Sequence, residues 1–319
     1  MKQILGLAAA LLLGCGAPTE PAPASAGAAD ALPTDASQDT QTLDTAIEIT
    51  DTAGPLPCNG DPALCALPIN QVTLPTAHNA MSSKADGFLL PNQPSGMLAQ
   101  LDAGIRGFML DVHPYDGTLA GEQGKPYLCH ATCKLGATEF TAAMTALRQW
   151  LDAHPREFVV IIFEDYVSEA ALNAGLQAAG LLPHCLHLGP SDPTPTLAQV
   201  IALGRRLLIL TESGGGAEPW NHGYQSLAFD TPYAAEKPDD FSCDVLRGKP
   251  GNRFFVVNHF LTHNLEPHDQ LAKQANHNPL LLQRAQQCQK QQKQRVSLLA
   301  VDWYSEGDLL SVVNTLNGL

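Results

Sequence analysis

Basic side chains are scarce in this chain: 18 Lys and Arg stand against 32 Asp and Glu in 319 residues, a formal charge of −14. With no basic stripe to neutralise phosphates, a nucleic-acid partner is excluded and any phosphate chemistry has to be local. The apolar stretch at residues 4–13 is too short to span a bilayer. A glycine-rich phosphate turn is missing after the first apolar run, where Pro75-Thr76-Ala77-His78 stands instead, and this disfavours an open doubly wound sheet. There is no internal repeat.

What is present begins with an address. Lys2 supplies a positive start and residues 4–13 an apolar middle, so residues 1–15 read as a signal peptide. Its end, Leu12-Leu13-Gly14-Cys15, is similar to a bacterial lipobox, which makes Cys15 the expected lipidation site. Residues 16–56, rich in Ala, Pro, Thr and Asp and almost without aromatics, cannot bury enough apolar surface to order themselves and are expected to be a disordered linker. The expected address is the bacterial cell envelope, with the membrane reached through the lipid; plain secretion is the alternative. Residues 57–319 form the expected globular unit, acting as a monomer.

Seven further cysteines remain. In an exported protein they read first as disulfides, and seven leaves one over. Cys58 with Cys65 and Cys129 with Cys133 close short loops, Cys243 with Cys288 is a more distant pairing, and Cys185 is then the odd one. A zinc site at Cys129-His130-x-x-Cys133 is the rival, but no second ligand pair at metal spacing accompanies it.

Seven short apolar runs each end on a polar side chain: at His78 and Asn79, Asp111, His130, Glu164 with Asp165, Thr211 with Glu212, Asn258 with His259, and Asp302. Continuous runs such as Val159-Val160-Ile161-Ile162 are buried on both faces, which requires a mostly parallel sheet covered by helices. Helix patterns lie between the runs. Phe140, Met144, Leu147 and Leu151 share a face, with Thr138 as the expected cap and Pro155 beyond the end. Residues 168–180, 196–204 and a long Gln- and Lys-rich stretch at 269–294 are the others. This alternation predicts an α/β fold of (β/α)8 TIM-barrel type, with its site where the runs end. Ser213-Gly214-Gly215-Gly216 is expected to be a flexible loop at the mouth.

Two histidines at run ends, His78 and His130, match acid–base cleavage of a phosphodiester, in which one imidazole takes a proton and the other gives one. Asp302, ending the last run, is the expected carboxylate orienting His78. His113 and His259 are candidate substrate contacts, Trp220, Tyr224 and Tyr233 are candidate stacking residues, and Arg106, inside a run, reads as structural.

Several stretches in order resemble the X region of phosphatidylinositol-specific phospholipase C. They are Thr76-Ala77-His78-Asn79-Ala80, Gly104-Ile105-Arg106-Gly107-Phe108-Met109-Leu110-Asp111-Val112, Leu128-Cys129-His130 and Ile161-Ile162-Phe163-Glu164-Asp165-Tyr166. Asp230-Thr231-Pro232-Tyr233, the run Phe255 to Phe260 and Ala300-Val301-Asp302-Trp303-Tyr304 are similar to X-domain-only proteins of that superfamily. The resemblance covers residues 57–319. It implies a distorted TIM barrel that splits a phosphoinositide-like lipid or headgroup through a cyclic phosphate, with His78 as general base and His130 as general acid. It further implies a divalent cation, calcium or magnesium, on Asn79, Asp111 and Glu164.

One position departs from that pattern. Met109 stands where the calcium-dependent enzymes carry a further glutamate, which implies weaker, water-rich metal binding. A glycerophosphodiesterase or sphingomyelinase-D-like activity is the second reading, though its Glu-x-Asp metal pair is absent here. The third is a non-catalytic surface lipoprotein that binds a headgroup or glycan.

Overall fold

The computed structural model describes residues 55–189, 191–262 and 268–319. The expected signal peptide, Cys15 and the expected linker up to residue 54 lie outside the described residues. Eleven strands form one sheet: β1 (Leu74–Ala77), β2 (Gly107–Pro114), β3 (Pro126–Leu128), β4 (Thr138–Glu139), β5 (Val159–Asp165), β6 (Leu207–Thr211), β7 (Asn221–Gly223), β8 (Ala228–Asp230), β9 (Arg247–Gly248), β10 (Phe254–Asn258) and β11 (Leu298–Val301). Nine of them follow the order β7-β6-β5-β2-β1-β11-β10-β8-β9, with β3 and β4 off this path, so β1 and β11, the first and last strands among the described residues, are neighbours at its centre. From β7 to β8 the pairing is parallel throughout. The sheet is thus a curled, distorted TIM barrel in which β7 and β8 are the unpaired margins of the parallel part, β8 carrying the antiparallel β9.

Alternation along each strand separates two cores. Leu74, Met109, Val160, Ile162, Leu208, Leu210, Val256, Leu298 and Ala300 pack into one cluster that fills the interior. Their neighbours Phe108, Leu110, Ile161, Phe163, Ile209, Val257 and Leu299 pack outward against the helices. Close approach of β1 and β2 depends on Gly107, where a Cβ would stand 2.1 Å from Thr76 Oγ1. With β1 flanked by β2, the next strand, on one side and by β11, the last strand, on the other, the barrel reading holds over a doubly wound sheet.

Three local expectations need correction, and two strands lay outside any expectation. The run ending at Cys129 is not a barrel strand: Tyr127 and Leu128 belong to β3, which pairs antiparallel with β2 and β4 and hangs His130 over the mouth. Helix Phe140–Ala153 is capped by the Glu139 carboxylate, which accepts from the N–H groups of Thr141 and Ala142, because the helix starts at Phe140 and Thr138 stands one residue too early to be its cap. The stretch at 269–294 is two helices, His268–Ala275 and Leu280–Gln292, parted by Pro279, which cannot continue a helix. Finally β7 and β8 escaped notice, since three residues each leave no readable period.

Cys58 pairs with Cys65, Cys129 with Cys133 and Cys243 with Cys288. Both cysteines beside His130 are thereby taken, which removes the zinc reading. Cys185 is free and buried, and burial pushes its thiol up to about 12, leaving it inert.

Candidate active site

The polar side chains gather at the carboxyl ends of the strands, around two pockets of about 160 and 350 Å³. Both pockets are lined by His78, Asn79, Asp111, Glu164, Tyr233 and Phe260; His113, His130, Tyr166 and His268 line the larger, Met109, Glu212 and Arg247 the smaller.

His78 follows β1 directly, its N–H donating to Val301 O of β11. Its Nδ1 is 2.8 Å from Asp302 Oδ1, and its ring stacks on Phe260 with centroids 3.7 Å apart. A carboxylate at Nδ1 places the proton there and leaves Nε2 as the acceptor. Asp302 is itself held: Asn92 Nδ2 reaches both its oxygens at 3.2 Å, and Asn276 donates to its main-chain carbonyl. Gln93, fully buried, donates to the carbonyls of His78 and Val301 and ties the two strand ends together. Burial works against an ionised Asp302, but the imidazoles of His78 and His268 prevail and hold its carboxyl down to about 2.

Backbone conformation sharpens these placements. Asn79, Ala131 and Trp303 have φ of 44°, 62° and 49°. Each follows one of His78, His130 and Asp302, and left-handed backbone at a residue with a Cβ persists only where the surroundings impose it.

Burial, reinforced by the neighbouring His78, holds the His130 imidazole down to about 4, so it is neutral in the free protein. The turn that carries it is closed by the Cys129–Cys133 disulfide and by Asp116, which accepts from Thr132 Oγ1 and the Cys133 N–H. His113 lies beside the mouth, stacked on Tyr166 at 4.1 Å, and burial lowers its imidazole too.

Register aligns three carboxylates side by side. Asp111 of β2 pairs with Glu164 of β5, and Glu212 donates its N–H to Phe163 O just below. Tyr166 donates its hydroxyl to Glu164, and Arg247 binds Glu212 while holding Asp230 Oδ2 through Nε at 2.8 Å. Asp111 has no such relief: burial, with Glu164 and Glu212 adding to it, pushes its carboxyl up to about 8. Met109 sits two residues below Asp111 on the same inward face and lines the pocket floor with a thioether.

Asn79 and Asp111 are 5% and 6% exposed, and among the described residues their side chains make no hydrogen bond. Two bare oxygen donors facing one pocket fit an oxygen-liganded divalent cation. Yet among the described residues no three His, Cys, Asp or Glu side chains are grouped so as to hold a metal ion.

Other expected site residues lie elsewhere. His259 is fully buried in the helix layer, bonded to Ala275 O and Arg284 and stacked on Phe241, because the residue after Asn258 faces outward. Trp220 donates to Asn173 on a covering helix, and Tyr224 lies fully buried against Asp230. Of the three aromatics only Tyr233 reaches the pocket, under the Arg247 guanidinium. Arg106 pairs with Glu157 at 2.7 Å, as a structural residue would. Sequence reading missed Arg247, on a two-residue strand with no apolar run, and His268. Glu212 was visible as a run end, but its role was not.

The curled, mostly parallel barrel is the fold of solved phosphatidylinositol-specific phospholipase C. The solved enzyme of that name from Staphylococcus aureus superposes with a TM-score of 0.54 at 14% identity, covering 78% of this chain and 93% of that one. A second structure of the same enzyme gives 0.52 at 15% identity, with 78% and 93% covered. In sequence, residues 64–317 match the family described as PI-PLC X 1, and the chain belongs to that family. The PI-PLC X domain-containing protein 1 of Arthroderma benhamiae is 28% identical over 290 residues, 84% of this chain and 92% of that protein. A PI-PLC X domain-containing protein of Arabidopsis thaliana is also 28% identical, over 285 residues; the match takes in 79% of this chain and 63% of that longer relative.

Proposed function

We propose that the protein is a phosphoric diester hydrolase of the phospholipase C type, cleaving a phosphoinositide-like lipid or its headgroup by attack of an internal hydroxyl. The observation that carries this reading is the Asp302–His78 pair at 2.8 Å sharing a pocket with His130. Asp302 holds the proton of His78 at Nδ1, so Nε2 takes the proton of the attacking hydroxyl. His130 protonates the leaving oxygen; neutral in the free protein, it becomes charged when a phosphodiester anion enters beside it. Asn79, Asp111 and Glu164 would hold a divalent cation, with Glu212 beside them. Such an ion offsets phosphate charge in a pocket lined by carboxylates. Phosphorus NMR of phosphatidylinositol with the protein tests the reading: a cyclic inositol phosphate should appear and weaken with chelator. A non-cyclic phosphomonoester as first product would support the glycerophosphodiesterase-like alternative instead.

The same reading includes export and a membrane tether through Cys15. Three disulfides among the described residues suit an oxidising compartment. No helix among the described residues is long and apolar enough to cross a membrane. Cys15→Ser should move the protein to the soluble fraction, and unchanged membrane partitioning would count against the tether.

A further inference from the structure

Asp302 contacts a second imidazole. Its Oδ2 lies 3.0 Å from Nδ1 of His268, the first residue of helix His268–Ala275, at an angle that makes this an ion-pair contact rather than an aligned hydrogen bond. One carboxylate thus bridges His78 and His268, using one oxygen for each. Among the described residues Nε2 of His268 makes no hydrogen bond, and the side chain, 21% exposed, lines the pocket that also holds His130.

A phosphodiester entering that pocket needs positive charge. Among the described residues lining it there is no lysine or arginine, and Asp111 and Glu164 are on its wall. Arg247, in the neighbouring pocket, is already committed to Glu212 and Asp230. Beside any divalent ion on Asn79, Asp111 and Glu164, the positive charge that the described side chains lining this pocket can themselves supply is therefore an imidazolium. Before substrate arrives, burial disfavours the charged forms of His130 and His113, His130 taking up its proton only for acid catalysis, and His78 serves as the base, so none of the three is a standing cation. For His268 burial also opposes the charge, but the Asp302 contact outweighs it and raises its pKa, with Asp269 of its own helix adding to the effect. His130, from the hairpin turn, feels that charge across the pocket.

We propose that His268, braced by Asp302, is the anion-binding residue of this site, donating from Nε2 to a non-bridging oxygen of the substrate phosphate. The assignment rests on the phosphodiesterase reading for its substrate, but not for its chemistry, because any oxyanion of that shape satisfies it. A charge-assisted N–H to oxygen bond in a partly dry pocket is among the stronger polar contacts.

The probe is inorganic sulfate, which keeps one charge state from pH 5 to 9, titrated into the full chain by calorimetry. Wild type should bind sulfate more tightly at pH 6 than at pH 8.5. His268→Gln should weaken binding at pH 6 by about tenfold, while His268→Lys should bind equally at both pH values. A purely structural role would not separate Gln from Lys in this way. Sulfate affinity unchanged in His268→Gln overturns the proposal, even if the wild type produces cyclic phosphate. Loss of binding in His268→Gln without any wild-type turnover leaves His268 as the anion site and removes the phosphodiesterase reading. Absence of sulfate binding by the wild type overturns the proposal, and turnover then decides the other reading separately.

Discussion

Asp302 Oδ1 stands 2.8 Å from His78 Nδ1, across a strand pair joined by the register of Ala77 with Val301. The first and last strands among the described residues, β1 and β11, meet there, and the residue after the last strand is placed to orient the histidine that follows the first. Asp302→Asn should keep the fold and lower turnover by on the order of 10²-fold or more, because the amide no longer holds the His78 proton at Nδ1. Asp302→Ala strands two imidazoles and the buried Asn92 amide, and is expected to cost about 3–5 kcal/mol of stability in a urea titration. Near wild-type turnover in Asp302→Asn would remove the orienting role.

His130 supplies a pH signature. Its folded-state pKa of about 4 lies below the ordinary value of 6.5, so between these values the unfolded chain binds the proton more readily. This contribution to stability is fully present above pH 6.5 and is lost as pH falls towards 4. His130→Gln should flatten that part of the stability–pH curve, measured by urea denaturation at several pH values. A variant with the same slope as wild type would show that His130 is not the group responsible.

Left-handed backbone at Ala131 carries a second, independent consequence. Ala131 sits at φ 62°, a conformation glycine adopts without the Cβ penalty. Ala131→Gly is expected to stabilise the fold by about 1 kcal/mol, while loosening the turn that presents His130 and reducing turnover. If Ala131→Gly is instead destabilised, the turn is not strained.

Much of the barrel and part of the site were legible in the sequence, for physical reasons that also mark where legibility ended. Long apolar runs such as that of β5 announce strands buried on both faces, and the polar residue ending each run announces the mouth. What such a pattern does not contain is direction. His259 ends a run as visibly as Glu164 does, but it turns outward to Ala275 O. Short edge strands carry no period, so Arg247 stayed hidden, and the pairing of His268 with Asp302 joins residues 34 apart through a tertiary contact alone. The helix at 269–294 was overextended because its Gln and Lys residues propagate well, and only Pro279 interrupts them.

Cation binding can be read without turnover. Millimolar calcium should raise the melting temperature of the wild type, as binding to the native state alone requires. Asp111→Asn should abolish that shift, and Met109→Glu should obtain it at lower calcium. Equal melting temperatures with calcium and with chelator, in the wild type and in Met109→Glu, would exclude a cation at this site.

The central claim is that His78 and His130 divide the work of base and acid. Turnover of phosphatidylinositol to cyclic inositol phosphate, followed by phosphorus NMR in wild type, His78→Ala and His130→Ala, measures it directly. Each variant should remain folded and lose about two or more orders of magnitude in rate. A rate within about tenfold of wild type in either variant, well short of what acid–base catalysis contributes, would contradict the two-histidine account.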